Sequence, residues 1–345
     1  MKAIQFASPR EARLVDAEPS ASPGPGEALV RTHRMGICGT DVSAFLGRFP
    51  FFEFPRIPGH ELGVEVLALG SEVTGVAVGD RCSIEPYLND PKSPASRRGL
   101  TNCCPDLQVL GVHCDGGLRD GSYTVPARKL HVGNRLSYDE LALVEPLAIG
   151  YHAVERGAPT PGTTALVIGA GPIGLACLEF LKLHDIELVV MDLSPQRLEF
   201  CREQLGIEHT IAVSDDGDQL AELESITGGQ LADLVIDATG SARSMSTCFE
   251  FAAFGGRVIY VGVASHDLQF SHAPIFHRRE LCLMASRNAR SADFGNIIQI
   301  LTEKTIDLTP WMTHRLGIEE VPERFASITH PDSGAIKAII DTTTL

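Results

Sequence analysis

The chain has 345 residues and a formal net charge of −15 at pH 7. A single hydrophobic core rarely grows to this length, so the sequence predicts about two domains. The acidic charge argues against nucleic-acid binding, which needs clustered Lys and Arg. There is no run of eighteen apolar residues and the N-terminus is charged, so we expect no membrane association and a cytoplasmic protein.

The first region, residues 1–147, is rich in Gly, Pro and short β-type runs, beginning with MKAIQFASPREARLVDAE. Turn residues recur between these runs, which predicts an irregular antiparallel β domain. Nine cysteines are scattered along the chain without a compact framework, so we interpret them as thiols or metal ligands rather than disulfides. We expect Cys177, Cys201 and Cys282 to act as small hydrophobic residues.

The second region, residues 148–290, alternates short apolar strands with segments of helical spacing. The predicted strands are TALVIG, ELVVMD, HTIAV, LADLVIDATG, GGRVIYVG and ELCLMASR. The predicted helices between them include PIGLACLEFLKLH, SPQRLEFCREQLG and SARSMSTCFEFAAFG. This alternation is typical of a doubly wound parallel sheet in an α/β protein. Residues 291–345 add one helix and a short β ending, and we expect them to return to the first domain.

A glycine-rich turn follows the first of these strands. Its sequence has the pattern G-x-G-x-x-G between a strand and a helix, and its predicted cofactor-binding residues are Gly169, Gly171, Pro172, Ile173 and Gly174. The glycines permit a tight turn, close approach of the backbone to a pyrophosphate, and packing of helix on strand. The pattern therefore predicts a dinucleotide site.

The next strand ends in Asp192, eighteen residues after Gly174. A carboxylate there can accept hydrogen bonds from both ribose hydroxyls and repels a 2′-phosphate, so it predicts NAD rather than NADP. Arg197 follows closely and is either a second cofactor contact that weakens this preference or a solvated helix charge.

Two later strand ends are expected at the same edge of the sheet, because ligands bind outside the carboxyl ends of parallel strands. They carry Thr239, Val261 and Gly262, which are predicted to line the nicotinamide half of the site unless they form turns only.

Three separate features of the first region carry metal-ligating residue types. They are Cys38 in GICGTD, His60 in PGHE and Glu145 in the V-E-P-L run. Catalytic zinc takes three protein ligands from Cys, His and carboxylate and leaves one position open. Together these residues predict a catalytic zinc site.

On GICGTD, PGHE, V-E-P-L and GAGPIG, in this order, the chain resembles the zinc-containing medium-chain dehydrogenases of the sorbitol and threonine dehydrogenase branch. The resemblance implies a GroES-like catalytic domain over 1–147 and 291–345, and a Rossmann coenzyme domain over 148–290. It implies an active-site cleft between them, a catalytic zinc held by Cys38, His60 and Glu145, and Glu61 as a nearby or exchangeable ligand. Thr40 matches the residue that takes the alcohol proton in this family.

Many relatives hold a second, structural zinc in a cysteine-rich lobe. Here, counting back from Cys104, the other ligand positions hold Asp90, Ser93 and Ser96. Serine is a poor zinc ligand, so we expect one zinc per chain and a lobe held by packing. A rearranged site among Cys82, Cys103, Cys104 and Cys114 is the alternative.

On PFFEFPR at 50–56, VLGVHCDGG at 109–117 and SRN at 286–288, the chain resembles a bacterial sugar-acid subgroup that includes L-galactonate and L-gulonate 5-dehydrogenases. This finer resemblance implies oxidation of a sugar-acid secondary hydroxyl. Arg287 or Arg56 could bind the carboxylate, and His113 could contact hydroxyls. A polyol dehydrogenase, a zinc-free quinone reductase and a nucleotide-binding regulator without activity are the alternatives. The resemblance also implies a homodimer or homotetramer paired through strand edges.

Overall fold

The computed structural model describes residues 1–20, 22–215 and 217–343. Among these residues, no helix combines the length and apolar character that crossing a membrane would require. The strands are β1 Lys2–Ser8, β2 Glu11–Asp16, β3 Glu27–Gly36, β4 Glu61–Leu69, β5 Arg81–Ile84, β6 Tyr87–Leu88, β7 Gln108–Val109, β8 Ser122–Pro126, β9 Leu130–Val132, β10 Thr164–Ile168, β11 Glu187–Asp192, β12 His209–Ala212, β13 Ala232–Asp237, β14 Ala252–Tyr260, β15 Cys282–Ala285, β16 Met312–Gly317 and β17 Lys337–Asp341. The helices are α1 Gly39–Phe45, α2 Tyr138–Gly157, α3 Pro172–Leu181, α4 Pro195–Leu205, α5 Gln219–Ile226, α6 Ala242–Thr247, α7 Ser291–Thr302 and α8 Val321–Ile328.

The chain divides into two compact units. Unit 1 comprises Met1–Pro146 and the residues from Arg290 onward, and unit 2 comprises Leu147–Ala289. Both junctions lie one residue before the bounds expected from the sequence. Helix α2 begins in unit 1 and ends in unit 2.

Unit 1 is built on a sheet with the strand order β16-β17-β3-β4-β5-β9, in which β8 also pairs with β3. The pairings are antiparallel except for the parallel pair of β16 and β17. Strand β3 alternates buried and half-buried residues along much of its length, as expected when one face of a sheet covers a core. The predicted antiparallel β-rich domain is confirmed.

An aromatic cluster closes one part of the core of unit 1. The ring of Phe6 lies 5.5 Å from that of Phe45 and 5.3 Å from that of Phe325, and the last two rings lie 5.0 Å apart. All three are buried, and edge-to-face contacts of this kind add to the stability gained by burial. The cluster joins β1 to α1 and α8.

Unit 2 is a parallel sheet with the strand order β12-β11-β10-β13-β14-β15. The central strand β10, TALVI, is buried along its whole length, because helices cover both faces of such a sheet. The predicted doubly wound fold is confirmed.

Two local predictions in unit 2 are wrong. The helix predicted over SARSMSTCFEFAAFG ends at Thr247; a 3₁₀ turn over Cys248–Phe251 follows, and β14 already begins at Ala252. Cys282, predicted to act as a small hydrophobic residue, is exposed because it begins β15, the last strand of the sheet, which pairs with β14 on one side.

Candidate active site

A cluster of three metal-ligating side chains lies inside unit 1. A ligand atom from each of Cys38, His60 and Glu61 lies within 4.8 Å of the other two, and His60 and Glu61 are buried. We call these three residues the metal cluster. No other group of three such side chains meets this distance within the part of the chain that the structure describes.

The local backbone explains the position of Cys38. It follows β3 and is the N-cap of α1, where its N–H donates to Asp41 Oδ2 at 3.0 Å and its Sγ accepts from the Thr40 N–H at 3.4 Å. This reciprocal pattern is a capping box, and it fixes the thiol at the positive end of a short helix. Thr40 therefore lies directly beside the sulfur.

The Glu61 carboxylate lies against Gly36. A Cβ atom at Gly36 would lie 2.0 Å from Glu61 Oε2, so only glycine leaves room for this carboxylate. The ammonium of Lys337, on β17, donates to Glu61 Oε1 at 2.5 Å and to the carbonyl of Ile37 at 2.9 Å. Both charged side chains are almost fully buried, so the charge of Glu61 is matched inside the protein.

His60 lies next to a second buried acid. Its Nδ1 makes no hydrogen bond and lies 3.7 Å from Asp41 Oδ1. Burial alone would lower the pKa of His60, but the negative charges of Asp41 and Cys38 raise it well above its usual value. Burial also raises the pKa of Asp41.

Glu145 is buried near these residues but lies outside the metal cluster as defined by the 4.8 Å distance. It lies on α2, and the hydroxyl of Tyr87 donates a hydrogen bond to its Oε1. Burial raises the pKa of Glu145 to about 7, and the charge of Glu61 adds to this effect. Of the four residues predicted to hold or approach zinc, three form the metal cluster. The fourth, Glu145, lies close enough for the charges of His60 and Glu61 to affect its pKa.

The donor set fits a divalent metal ion. Sulfur, imidazole nitrogen and carboxylate oxygen are the ligand atoms that zinc takes in proteins. Four acidic side chains face this site, those of Cys38, Asp41, Glu61 and Glu145, together with the Lys337 ammonium. The excess of acidic groups suits a divalent cation, which would stabilise their ionised forms.

The glycine turn of unit 2 has the geometry that the sequence predicts. Gly169 has φ +97°, and a Cβ at Gly174 would lie 1.7 Å from the Gly169 carbonyl oxygen, so helix α3 packs directly on the turn. Gly171 is the N-cap of α3, followed by Pro172 and Ile173 in the first turn. Because glycine has no side chain to cap the helix, the first N–H groups of α3 are available to a phosphate.

Asp192 ends β11 and is largely buried. Its Oδ2 accepts from the Ala170 N–H at 2.6 Å, and its Oδ1 accepts from the Ser194 N–H at 2.7 Å. A carboxylate has about four acceptor sites, so both oxygens retain capacity for ribose hydroxyls. Arg197 is half-buried, and its Nη1 lies 3.6 Å from the place of a Cβ on Gly171, so its guanidinium lies beside the glycine turn.

The residues predicted to line the nicotinamide half of the site follow β13 and β14. Thr239 donates to Asp237 Oδ1 through its N–H at 2.9 Å and its hydroxyl at 2.7 Å. A Cβ at Gly262 would lie 2.2 Å from the Gly240 nitrogen, and Val261 donates to the Asp237 carbonyl at 2.9 Å. The ends of β10, β11, β13 and β14 thus form one continuous rim, which we call the nucleotide edge.

The lobe in which Asp90, Ser93 and Ser96 stand at three expected cysteine positions is held by a hydrogen-bond network as well as by packing. Cys104 Sγ accepts from the Asp90 N–H at 3.4 Å, and a hydrogen bond from Ser93 lowers the pKa of this thiol. The hydroxyls of Ser93 and Ser96 lie 2.9 Å apart, and the Asn89 amide donates to Ser96 at 2.8 Å. Hydrogen bonds between the serines therefore add to the packing expected to hold the lobe.

The three residues proposed to bind substrate are divided between the two units. His113 is exposed, and its Nδ1 accepts from the Val109 N–H at 3.0 Å. This bond stabilises the loop over residues 109–113. Arg56 lies in unit 1, where its guanidinium is 4.0 Å from the Glu53 carboxylate, whereas Arg287 is exposed in unit 2. Their substrate roles stay predictions.

Sequence reasoning missed Lys337 and Tyr87. A lysine inside the apolar run AIKAIID was a usable signal for a buried ammonium, because a strand interior rarely holds one without a partner. For Tyr87 the local sequence carries no comparable signal.

Two protein-family models match the chain. Residues 24–133 match the alcohol dehydrogenase GroES-like domain, and residues 172–303 match the zinc-binding dehydrogenase model. The chain belongs to the zinc-binding alcohol dehydrogenase family. The predicted family resemblance is confirmed, and this dehydrogenase is an oxidoreductase that uses a nicotinamide cofactor.

The dehydrogenase is similar to L-galactonate-5-dehydrogenase of Escherichia coli K12, with 37% identity over 92% of each chain. It is 35% identical to D-altritol 5-dehydrogenase of Agrobacterium fabrum C58, over 93% of this chain and 94% of the relative. A solved structure from E. coli CFT073, described as a short chain alcohol dehydrogenase complexed with NADH, matches with a TM-score of 0.91 and 27% identity, over 99% of both chains.

Proposed function

We propose that this dehydrogenase uses NAD and one catalytic zinc to oxidise a secondary hydroxyl of a sugar acid, such as L-galactonate or L-gulonate, to the keto acid. The buried metal cluster of Cys38, His60 and Glu61 is the observation that carries the proposal. The similarity to L-galactonate-5-dehydrogenase over 92% of the chain supports the substrate class.

In this proposal Cys38, His60 and Glu145 hold the zinc, and Glu61 is a nearby carboxylate that can exchange with a ligand. Bound zinc would supply a Lewis acid for the substrate oxygen. Asp41 orients the His60 ring from 3.7 Å, as outer partners of metal-binding histidines do. The Thr40 hydroxyl, on the residue whose N–H bonds to the Cys38 sulfur, relays the proton of the alcohol: it accepts that proton while its own passes to water, a ribose hydroxyl or another group.

The cofactor is NAD because Asp192 presents a carboxylate at the ribose position. The glycine turn, Thr239 and Val261 provide the remaining contacts along the nucleotide edge. Changing Asp192 to Ala removes the hydrogen bonds to ribose and the repulsion of a 2′-phosphate. We expect kcat/KM for NAD to fall about 10- to 100-fold, and kcat/KM for NADP to fall less or to rise. An unchanged ratio of the two values would count against this role of Asp192. The same two values are measured for Arg197→Met, the variant of the second residue beside the glycine turn.

The similarity to D-altritol 5-dehydrogenase makes a polyol the second candidate substrate. Incubation with NAD and a panel of aldonates and polyols, before and after chelation, tests both. NADH formation with an aldonate that is lost with the metal supports the proposal, and higher kcat/KM for polyols supports the alternative. Turnover that survives complete metal removal contradicts the zinc site.

We also infer one zinc per chain, since Ser93 and Ser96 are poor zinc ligands. For the assembly we infer a dimer or tetramer, because β15 ends the sheet and an exposed strand edge is usually covered. Metal analysis and sedimentation of the purified protein test these two statements.

A further inference from the structure

Besides Asp41, two buried carboxylates lie near His60, and these two have chemically different partners. Glu61 receives the ammonium of Lys337, which matches its charge. Glu145 receives the neutral hydroxyl of Tyr87. A phenol donor fixes one oxygen of a carboxylate, and the second oxygen of Glu145 can still bind a cation.

Tyr87 is itself held firmly. It is 2% exposed, and its backbone pairs with Val109 between β6 and β7. Its ring meets that of Phe294 at 6.3 Å in an edge-to-face arrangement. These contacts fix the position of the Tyr87 hydroxyl, and from that position it donates its hydrogen bond to Glu145.

The residue two places before Tyr87 anchors the same segment. Glu85 is fully buried and accepts from the Lys129 ammonium and the Ser291 hydroxyl, with His131 Nε2 at 3.3 Å. These contacts join the segment to β9 and to the start of α7. Tyr87 is therefore carried on a segment that is tied to three other parts of unit 1, and its hydroxyl direction is set by the fold.

We propose that Tyr87 is a positioning residue, which fixes the Glu145 carboxylate by a hydrogen bond and so sets how Glu145 meets the catalytic metal. This rests on the proposed zinc-dependent function and goes beyond it by naming what orients this carboxylate. Partners that orient metal ligands are worth about 10- to 100-fold in metal affinity.

The test compares Tyr87→Phe with Tyr123→Phe in the full-length protein. Tyr123 is also a buried tyrosine of unit 1, but its hydroxyl bonds to Thr32 at 2.9 Å instead of to a carboxylate of the site. Zinc affinity is measured by competition with a chromogenic chelator, and the Co²⁺-substituted proteins are compared by visible absorption. We expect Y87F to bind zinc about 10- to 100-fold more weakly and to shift the Co²⁺ bands, whereas Y123F changes neither.

A Glu145→Gln background shows whether Tyr87 acts through this carboxylate. There, adding Y87F should change neither zinc affinity nor the Co²⁺ spectrum, because the carboxylate is already gone. An equal further loss in that background overturns the inference, as does wild-type zinc binding by Y87F.

If Y87F fails to fold, Tyr87→Leu, which also lacks a donor, takes its place. Zinc affinity about 10- to 100-fold weaker than that of the wild type then supports the inference, and wild-type affinity contradicts it. A wild-type protein that binds no zinc would instead overturn the proposed function, so the two failures are distinguishable.

Discussion

The metal cluster of unit 1 is built from side chains, whereas the nucleotide edge of unit 2 is built mainly from backbone groups. In the metal cluster, the side chain of Cys38, at a helix cap, meets those of the consecutive residues His60 and Glu61 at the start of β4. At the nucleotide edge, glycines bring backbone N–H groups to one rim, and Asp192 is the main charged group. The first site should therefore be most sensitive to the loss of a functional group, and the second to the addition of a methyl group.

The largest expected effect is at Cys38. Replacing its thiolate by a hydroxyl in Cys38→Ser removes a strong zinc ligand. We expect zinc to be lost on dialysis and activity to fall by more than the roughly 100-fold that loss of a ligand's hydrogen-bonding partner costs. Metal analysis and kcat/KM measure this.

Cys104→Ser is the matched control, because Cys104 lies in the serine-containing lobe. It should keep its zinc and its activity. If C104S loses the metal and C38S retains it, the zinc site lies in the lobe and the comparison between the units is wrong.

The second prediction adds one methyl group to the nucleotide edge. In Gly174→Ala the new Cβ would lie 1.7 Å from the Gly169 carbonyl oxygen, so the turn must move. Overpacking of this kind costs about 1–3 kcal/mol or more. We expect a lower thermal midpoint for unit 2 and weaker binding of NADH, measured by fluorescence titration.

Gly171→Ala separates folding from binding at the same turn. Its Cβ would meet only the end of the flexible Arg197 side chain, at 3.6 Å. Stability should stay within about 0.5 kcal/mol of the wild type, while NADH affinity falls because the methyl group occupies the path of the pyrophosphate. Equal effects of G171A and G174A on stability would contradict this distinction.

The smallest expected effect is in the lobe. Ser93→Ala removes a buried hydroxyl that bonds to Ser96 and Cys104, which should destabilise the lobe by about 1 kcal/mol. Hydrogen exchange of residues 89–106 should become faster with no change in zinc content. The exposed neighbour Cys103, changed to Ser, serves as the control and should leave exchange unaltered.

The features predicted correctly are local in sequence. The strand–glycine–helix order around Gly169, the acid at Asp192 and the GICGTD turn each lie within a few residues, where spacing alone defines the geometry. The parallel sheet of unit 2 was also predictable, because parallel strands need crossover connections, which are usually helices.

The features that escaped prediction depend on distant pairing. The bond between Lys337 and Glu61 joins residues 276 positions apart, and that between Tyr87 and Glu145 joins residues 58 apart. No local spacing predicts which carboxylate faces an ammonium and which faces a phenol. The helix predicted past Thr247 failed for a related reason, since sheet pairing at Ala252 overrides local helical spacing.

The contact of Lys337 with Glu61 also bears on the order in which the protein matures. Unit 2 is one continuous stretch and is complete once residue 289 has been synthesised. Unit 1 is interrupted by it, and β17 cannot enter the sheet beside β3 until residues 337–341 leave the ribosome. Because domains fold as units during synthesis, the nucleotide-binding unit can form first. The counter-ion of Glu61 arrives last, so the metal cluster is among the final parts of the enzyme to be assembled.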